Sequence, residues 1–181
     1  ENIKIENAPH DAIDIDISNS IKIINSQIIK SGNDGIDFME SKATIKNSKI
    51  LKSGDKGLSI GESSNINLDN LLIDNNNIGI AVKDASVAKL KTSILKNNKI
   101  SIAAYKKNLH YNQGGNIYVN NSNIENNNSN NSFVIKNSSQ LKLINSFING
   151  IQQIDNLINK KNTQIEINWS FTMEKLSRYE F

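Results

Sequence analysis

The phrase Asp34-Gly35-Ile36-Asp37-Phe38 returns as Lys56-Gly57-Leu58-Ser59-Ile60 and again as Ile78-Gly79-Ile80-Ala81-Val82, with its glycines 22 residues apart (57 − 35 and 79 − 57). A fixed period of that length marks stacked repeats, in which a unit buries its apolar face only against its neighbours. Ala12 and Ser101 fill the glycine slot on either side, so at least five units share one register. A second ladder follows the first: Asn25-Ser26, Asn47-Ser48, Asp69-Asn70, Thr92-Ser93, Asn121-Ser122 and Asn145-Ser146. Each pair closes a short alternating run such as Ile21-Lys22-Ile23, and alternation of period two is the mark of a half-buried strand. A further β-rich patch and a polar turn such as Lys30-Ser31-Gly32-Asn33 complete the unit. Three short strands per unit, with one proline in 181 residues, predict an all-β chain: a right-handed, single-stranded parallel β-helix with coils of about 22 residues. Stacking then places matching residues about 4.8 Å apart, building aliphatic columns inside and recurrent Asn-Ser stacks that hold the coils. The repeated glycine fits a tight turn or a close backbone approach.

The period also divides the chain. Residues 1–162 read as coils, interrupted by an inserted loop over 108–116 and a polar, Asn-rich excursion over 126–132. Residues 163–181, with Trp169, Phe171, Met173, Leu176, Tyr179 and Phe181, read as a last strand and a C-terminal cap over the open end of the core. The N-terminal coil shows no comparable cap, so an upstream domain or further coils are expected to be covalently joined to it. The chain has no cysteine, which excludes disulfides and thiolate chemistry. No apolar run reaches the roughly 18 residues of a membrane span. Net charge is +3 with acids and bases interspersed, so no clustered nucleic-acid footprint is visible.

Chemistry is expected where outward positions break the pattern. Ile36 and Phe38 point inward by alternation, so Asp37 faces out, and the matching residue one coil earlier is Asp14. Two carboxylates stacked at one coil spacing either raise one pKa or recruit a cation. Asp11, Asp16 and Asp34 join the neighbourhood, and calcium is the cofactor such a cluster suggests, with Asp14, Asp34 and Asp37 as its candidate ligands. Following coils add Lys56, Ser59 and Glu62, then Lys83 and Asp84, then Tyr105 and Lys106, a strip that runs from acidic through basic to aromatic like a glycan groove.

Written out, Asp11 to Glu62 contains D-A-I-D-I, G-N-D-G-I-D-F and G-D-K-G-L-S-I-G-E on successive coils. This resembles the polygalacturonase family of β-helix hydrolases, with its N-T-D-G-[IF]-D, G-D-D-C-I-A, G-H-G-L-S-I-G-S and R-I-K, and more broadly the pectin-lyase-like superfamily and the uncharacterised β-helix repeat proteins of bacterial surfaces. The resemblance implies that Asp11 sits at a first catalytic acid, Asp34 at the second aspartate of the D-D pair and Lys83 at the substrate-binding lysine. It departs at Asn33, where a general-acid aspartate is expected, at Lys56 in place of histidine and at Ala81 in place of arginine.

Two reactions suit the strip. Glycoside hydrolysis needs two carboxyls, about 5–5.5 Å apart for retention or about 6.5–9.5 Å for inversion, and Asp14, Asp34 and Asp37 offer both. β-Elimination on a uronate needs a cation against the substrate carboxylate and a base, for which Lys56, Lys83 or Tyr105 is the candidate. The catalytic candidates are therefore Asp11, Asp14, Asp34, Asp37 and Lys56, and the substrate-binding candidates Ser59, Glu62, Lys83, Asp84, Tyr105 and Lys106. The plain alternative is that the aspartates shape turns and the lysines neutralise Asp55 and Asp84. The functional expectation is a polysaccharide-active protein of the extracellular space or bacterial cell envelope, acting on or binding an acidic glycan. The rival is a non-catalytic surface, adhesive or scaffold module of a larger protein.

Overall fold

The computed structural model describes residues 1–125, 132–136, 138–149 and 163–168. The strands are β1 (Lys4–Glu6), β2 (Ile13–Asp16), β3 (Ile21–Ile24), β4 (Gln27–Ile29), β5 (Ile36–Met39), β6 (Lys42–Leu51), β7 (Lys56–Gly61), β8 (Asn65–Asp74), β9 (Ile78–Lys83), β10 (Val87–Lys91), β11 (Ile94–Lys96), β12 (Ile100–Tyr105), β13 (Asn116–Asn120), β14 (Asn123–Glu125), β15 (Phe133–Ile135), β16 (Ser139–Ile144), β17 (Phe147–Asn149) and β18 (Thr163–Asn168). Pairing is parallel throughout, and no helix occurs among the described residues. One sheet takes a strand from each successive turn, β2-β5-β7-β9-β12-β15. The other has twelve strands and wraps the remaining two sides of each turn, with β6 and β8 running unbroken across the corner between them. The chain is a parallel β-helix. Its register follows the glycine phrase: Ile36 pairs with Leu58, Leu58 with Ile80 and Ile80 with Ile102.

Backbone sterics explain the corners. Non-glycine residues rarely adopt positive φ, and Asn does so most readily. Here three columns of them bend each coil. One runs Asn25, Asn47, Asn70, Thr92, Asn121 and Asn145, another Lys30, Lys52, Asn75 and Asn97, and the third Glu40, Glu62 and Asp84. The repeated glycines do not belong to these columns. Their role is close approach: a Cβ on Gly35 would stand 2.5 Å from the Gly57 carbonyl, on Gly57 2.7 Å from that of Gly79, and on Gly79 2.6 Å from that of Ser101.

The Asn-Ser pairs divide their work. The Asn side chains ladder on the outside, Asn47 Nδ2 donating to Asn25 Oδ1 at 3.2 Å and Asn70 Nδ2 to Asn47 Oδ1 at 2.9 Å. The serines are buried, and each hydroxyl donates to the carbonyl two residues back while accepting an amide from the coil before. Ser26 N reaches Ser48 Oγ at 3.0 Å, Ser93 N reaches Ser122 Oγ at 3.1 Å, and a parallel ladder joins Ser18, Ser41, Ser64 and Ser86. In the third coil the corner pair is Asn70-Leu71 rather than Asp69-Asn70: Ser48 pairs with Leu71, whose amide still finds Ser93 Oγ at 3.0 Å. A buried donor needs a partner, and leucine supplies only its backbone there. On the remaining corner Ser53, Asn76 and Asn98 form a third internal polar column.

Inward residues fill the tube as columns, such as Ile15-Phe38-Ile60-Val82-Ala104-Ile135 and Ile28-Ile50-Ile73-Leu95-Ile124. Phe38 is the largest fully buried side chain. β18 extends the larger sheet by pairing with β16. Residues 169–181, where a cap is expected, and the excursion at 126–131 lie outside the described residues.

Candidate functional site

Alternation turns Asp14, Asp37, Ser59, Ala81 and Ala103 outward on β2, β5, β7, β9 and β12, one above another in register. The stacked pair expected from the sequence is therefore present: Asp14 and Asp37 are direct neighbours across parallel strands. Asp14 is exposed, and its carboxyl is held above the ordinary range by partial desolvation and by the like charges of Asp16, Asp37 and Asp11. One carboxylate oxygen of Asp37 is buried without a hydrogen-bond partner among the described residues.

The other aspartates are committed to the fold. Asp11 Oδ1 accepts from Asn33 Nδ2 at 2.8 Å and from the Asp34 amide at 2.7 Å, which fixes the turn of the next coil. Asp34, only 3% exposed, repeats the device: its Oδ1 accepts the Lys56 amide at 2.9 Å and lies 3.3 Å from Lys56 Nζ. Lys56 is also ion-paired to Asp55. Burial would lower the Lys56 pKa, but the two aspartates outweigh it and hold the ammonium above its usual value. Asp84 is fully buried, and its Oδ1 accepts the amides of Lys107 at 2.6 Å and Asn108 at 2.8 Å. Asp34 thus faces Lys56 while Asp14 and Asp37 stack on the sheet. Among the described residues no three His, Cys, Asp or Glu side chains converge as a metal site.

Asp84 anchors the insertion. Residues 106–115 connect β12 to β13, and Asp84 grips their start. The Ala85 amide points at the Gln113 and Gly114 carbonyls, both at 3.1 Å, and Gly115 lies so close to Val82 that a Cβ would meet its carbonyl. The loop is therefore pinned at both ends beside the downstream edge of the face. Tyr111 from this loop, whose pKa is raised by desolvation and then by Glu40, Glu62 and Asp84, marks where it meets the third corner column. Lys106, at the head of the loop, is exposed.

Glu40 is the residue that reading the sequence missed. It occupies the same left-handed corner as Glu62 and Asp84, 22 residues before Glu62 (62 − 40), and the spacing alone would have found it. Burial, then Asp84 and Asp37, raise the Glu62 carboxyl, against the pull of Lys83. Lys83 is 5% exposed and donates to Ser59 Oγ at 2.9 Å. Ser59, Ala81 and Ala103 are buried although they point outward, so the middle of the face offers no open floor. Tyr105 is half-buried with Lys136 Nζ 5.6 Å from its ring centre, and burial raises its hydroxyl pKa, which keeps it neutral.

These charges carry a prediction about pH. A carboxyl whose folded pKa is raised favours folding most below its unfolded value and loses that advantage as pH rises through the folded pKa. Asp14→Asn is therefore expected to melt higher than the parent at neutral pH, with the gap closing below about pH 4, where the ordinary carboxyl is protonated in both states. Thermal melts across that range check it, and a gap that widens in acid would contradict the repulsive cluster.

No curated protein and no solved structure matches the chain. A family model described as "right handed beta helix region" matches residues 1–168. That span contains every described strand, the three corner columns and the face carrying Asp14 and Asp37, and the chain belongs to the right-handed β-helix family.

Proposed function

We propose that this chain is a carbohydrate-binding β-helix module of a secreted or cell-envelope protein, which engages a polysaccharide along the face of β2 and β5 and the adjoining Glu40–Glu62 corner without cleaving it. The observation that carries this reading is the commitment of Asp11, Asp34, Lys56 and Asp84 to coil-to-coil hydrogen bonds and ion pairs. The three aspartates accept backbone amides and Lys56 neutralises Asp34, so their removal from the fold to do chemistry would orphan donors and leave a buried carboxylate unpaired. Lys56 held above its usual pKa and the neutral, half-buried Tyr105 are poorly matched to proton abstraction, which counts against elimination. Asp14, Asp37, Glu40 and Glu62 remain as acceptors for sugar hydroxyls, with Tyr111 as an adjacent aromatic. Their concentrated negative charge favours a neutral glycan on this face.

A second reading, hydrolysis through Asp14 and Asp37, is favoured by the raised Asp14 carboxyl and the unpartnered Asp37 oxygen, since a carboxyl pushed up in pKa beside a second carboxyl is an arrangement glycosidases use. Incubation with a panel of neutral and acidic polysaccharides, read by affinity electrophoresis and by mass spectrometry of products, separates the two. The module reading expects retarded migration and intact polymer, with retardation on neutral glycans lost in Asp14→Asn/Asp37→Asn. Fragments that have gained a water, absent in the same double variant, would replace it with the hydrolase. Absence of retardation by every neutral glycan would sink the binding reading.

A further inference from the structure

The lysines that look scattered along the sequence are sorted in space. On the outer side of the larger sheet, the register runs Lys22-Thr44-Asn67-Lys89 across β3, β6, β8 and β10, with Lys42 and Asn65 paired alongside. Across β3, the first half of β6, the first half of β8 and β10 this face also carries Lys46 and Lys91, gathered about the carboxylate of Asp69. Asp69 is consumed: its Oδ2 lies 3.5 Å from Lys46 Nζ and 3.3 Å from Lys91 Nζ, and its Oδ1 accepts from Thr92 at 2.8 Å. Lys22, Lys42 and Lys89 are exposed with no carboxylate partner among the described residues, and they line an open groove of about 370 Å³ together with Thr44, Asn65 and Asn67.

We propose that this groove, on the side that adjoins the Asp14–Asp37 face across the Glu40–Glu62 corner, binds an acidic polysaccharide, a polyuronate, laid along the stack of coils. Charge complementarity picks out a polyanion, because three ammonium groups without a carboxylate partner among the described residues are spaced along the groove and the neighbouring carboxylate, Asp69, is spent. The rest of the lining selects among polyanions. Thr44, Asn65 and Asn67 alternate with the lysines and can both donate to and accept from sugar hydroxyls. Nucleic acid is disfavoured, since the side chains between the lysines are small polar ones and no aromatic ring stands among them to stack a base. Lys22 and Lys89 are separated by three strand spacings, about 14 Å, so one bound chain would place carboxylates of non-adjacent sugars against them while hydroxyls of the sugars between face Thr44 and Asn67.

The test uses the full chain and alginate as the polyuronate, with its propylene glycol ester as the neutralised counterpart and a single-stranded oligonucleotide as the competing polyanion. Calorimetry or affinity electrophoresis at low salt is expected to show binding to alginate, loss on esterification, and weakening as salt rises, because the contacts are exposed. Lys22→Gln/Lys42→Gln/Lys89→Gln should weaken alginate at least about tenfold, and the corresponding triple arginine variant should keep it. All three side chains are exposed, so circular dichroism should show both variants folded as the parent. Equal binding of alginate by the triple glutamine variant, equal binding of the esterified polymer, or tighter binding of the oligonucleotide would each overturn the proposal. None of the three lysines belongs to the acidic face, so the outcome is independent of what that face does.

Discussion

Replacing Phe38 by alanine should cost about 3–5 kcal/mol, the usual range for emptying a fully buried aromatic site. The side chain is fully buried on β5 and is held in its column between Ile15 and Ile60. Those neighbours cannot close the gap, because their own backbones are fixed by the ladder spacing of about 4.8 Å. The loss should also be local. In a one-dimensional stack a damaged interface loosens the turns that touch it first, so amides of β2 and β7 should exchange with deuterium well before those of β12. Urea denaturation gives the total and peptide-resolved exchange gives the distribution. A loss under about 1 kcal/mol would mean that the columns are more plastic than native cores generally are.

Asn98→Ala is expected to be comparably damaging for a different reason. Asn98 Oδ1 accepts the Asn76 amide at 3.0 Å and Asn76 Nδ2 at 2.9 Å, and its own Nδ2 donates to the Ile73 carbonyl at 3.0 Å, all in the interior. Alanine leaves the buried Asn76 amide bare, at about 1–3 kcal/mol for such a group, and takes one partner each from Asn76 Nδ2, which keeps only the Ile50 carbonyl at 3.5 Å, and from the Ile73 carbonyl. The neighbouring Asn76 accepts the Ser53 amide at 2.8 Å and would lose the bond that orients it. Gln27→Ala, at an exposed strand position, serves as the comparison and should change stability by no more than about 0.5 kcal/mol. Equal melting of the two variants would show that the polar column is dispensable.

The stack of coils was legible because one pattern repeats: a residue type that recurs at a constant interval must occupy equivalent positions, and alternation tells which side it faces. The Asp14–Asp37 pair followed from those two facts alone. What each carboxylate does there was not legible. An aspartate that caps a turn, as Asp11 and Asp34 do, and one left open to solvent, as Asp14 is, are the same letter in the same phrase. The difference lies in which backbone amide reaches it. The slip from Asp69-Asn70 to Asn70-Leu71 was hidden for a similar reason, since an Asp, Asn or Thr can each follow an alternating run, and the left-handed conformation of Asn70 decides the corner. The lysine groove lay furthest from view. Lys22, Lys42 and Lys89 come together only when the coil offset, the alternation and the corner positions are combined, and in linear sequence they are mixed with acids that fold onto other faces.

The internal serine ladders give the tube a direction. Each hydroxyl is anchored by donating within its own turn and satisfies an amide of the turn before, as when Ser122 Oγ receives Ser93 N and donates to the Asn120 carbonyl. Debt runs one way: a turn's buried N–H stays unmet until its successor arrives, while the successor's hydroxyl already has a use for its proton. Removing turns from the C-terminal side would strip partners from buried donors, whereas removing them from the N-terminal side would merely free acceptors. During synthesis the same asymmetry makes every emerging turn the lock on the one already formed, so the wall seals behind the growing end.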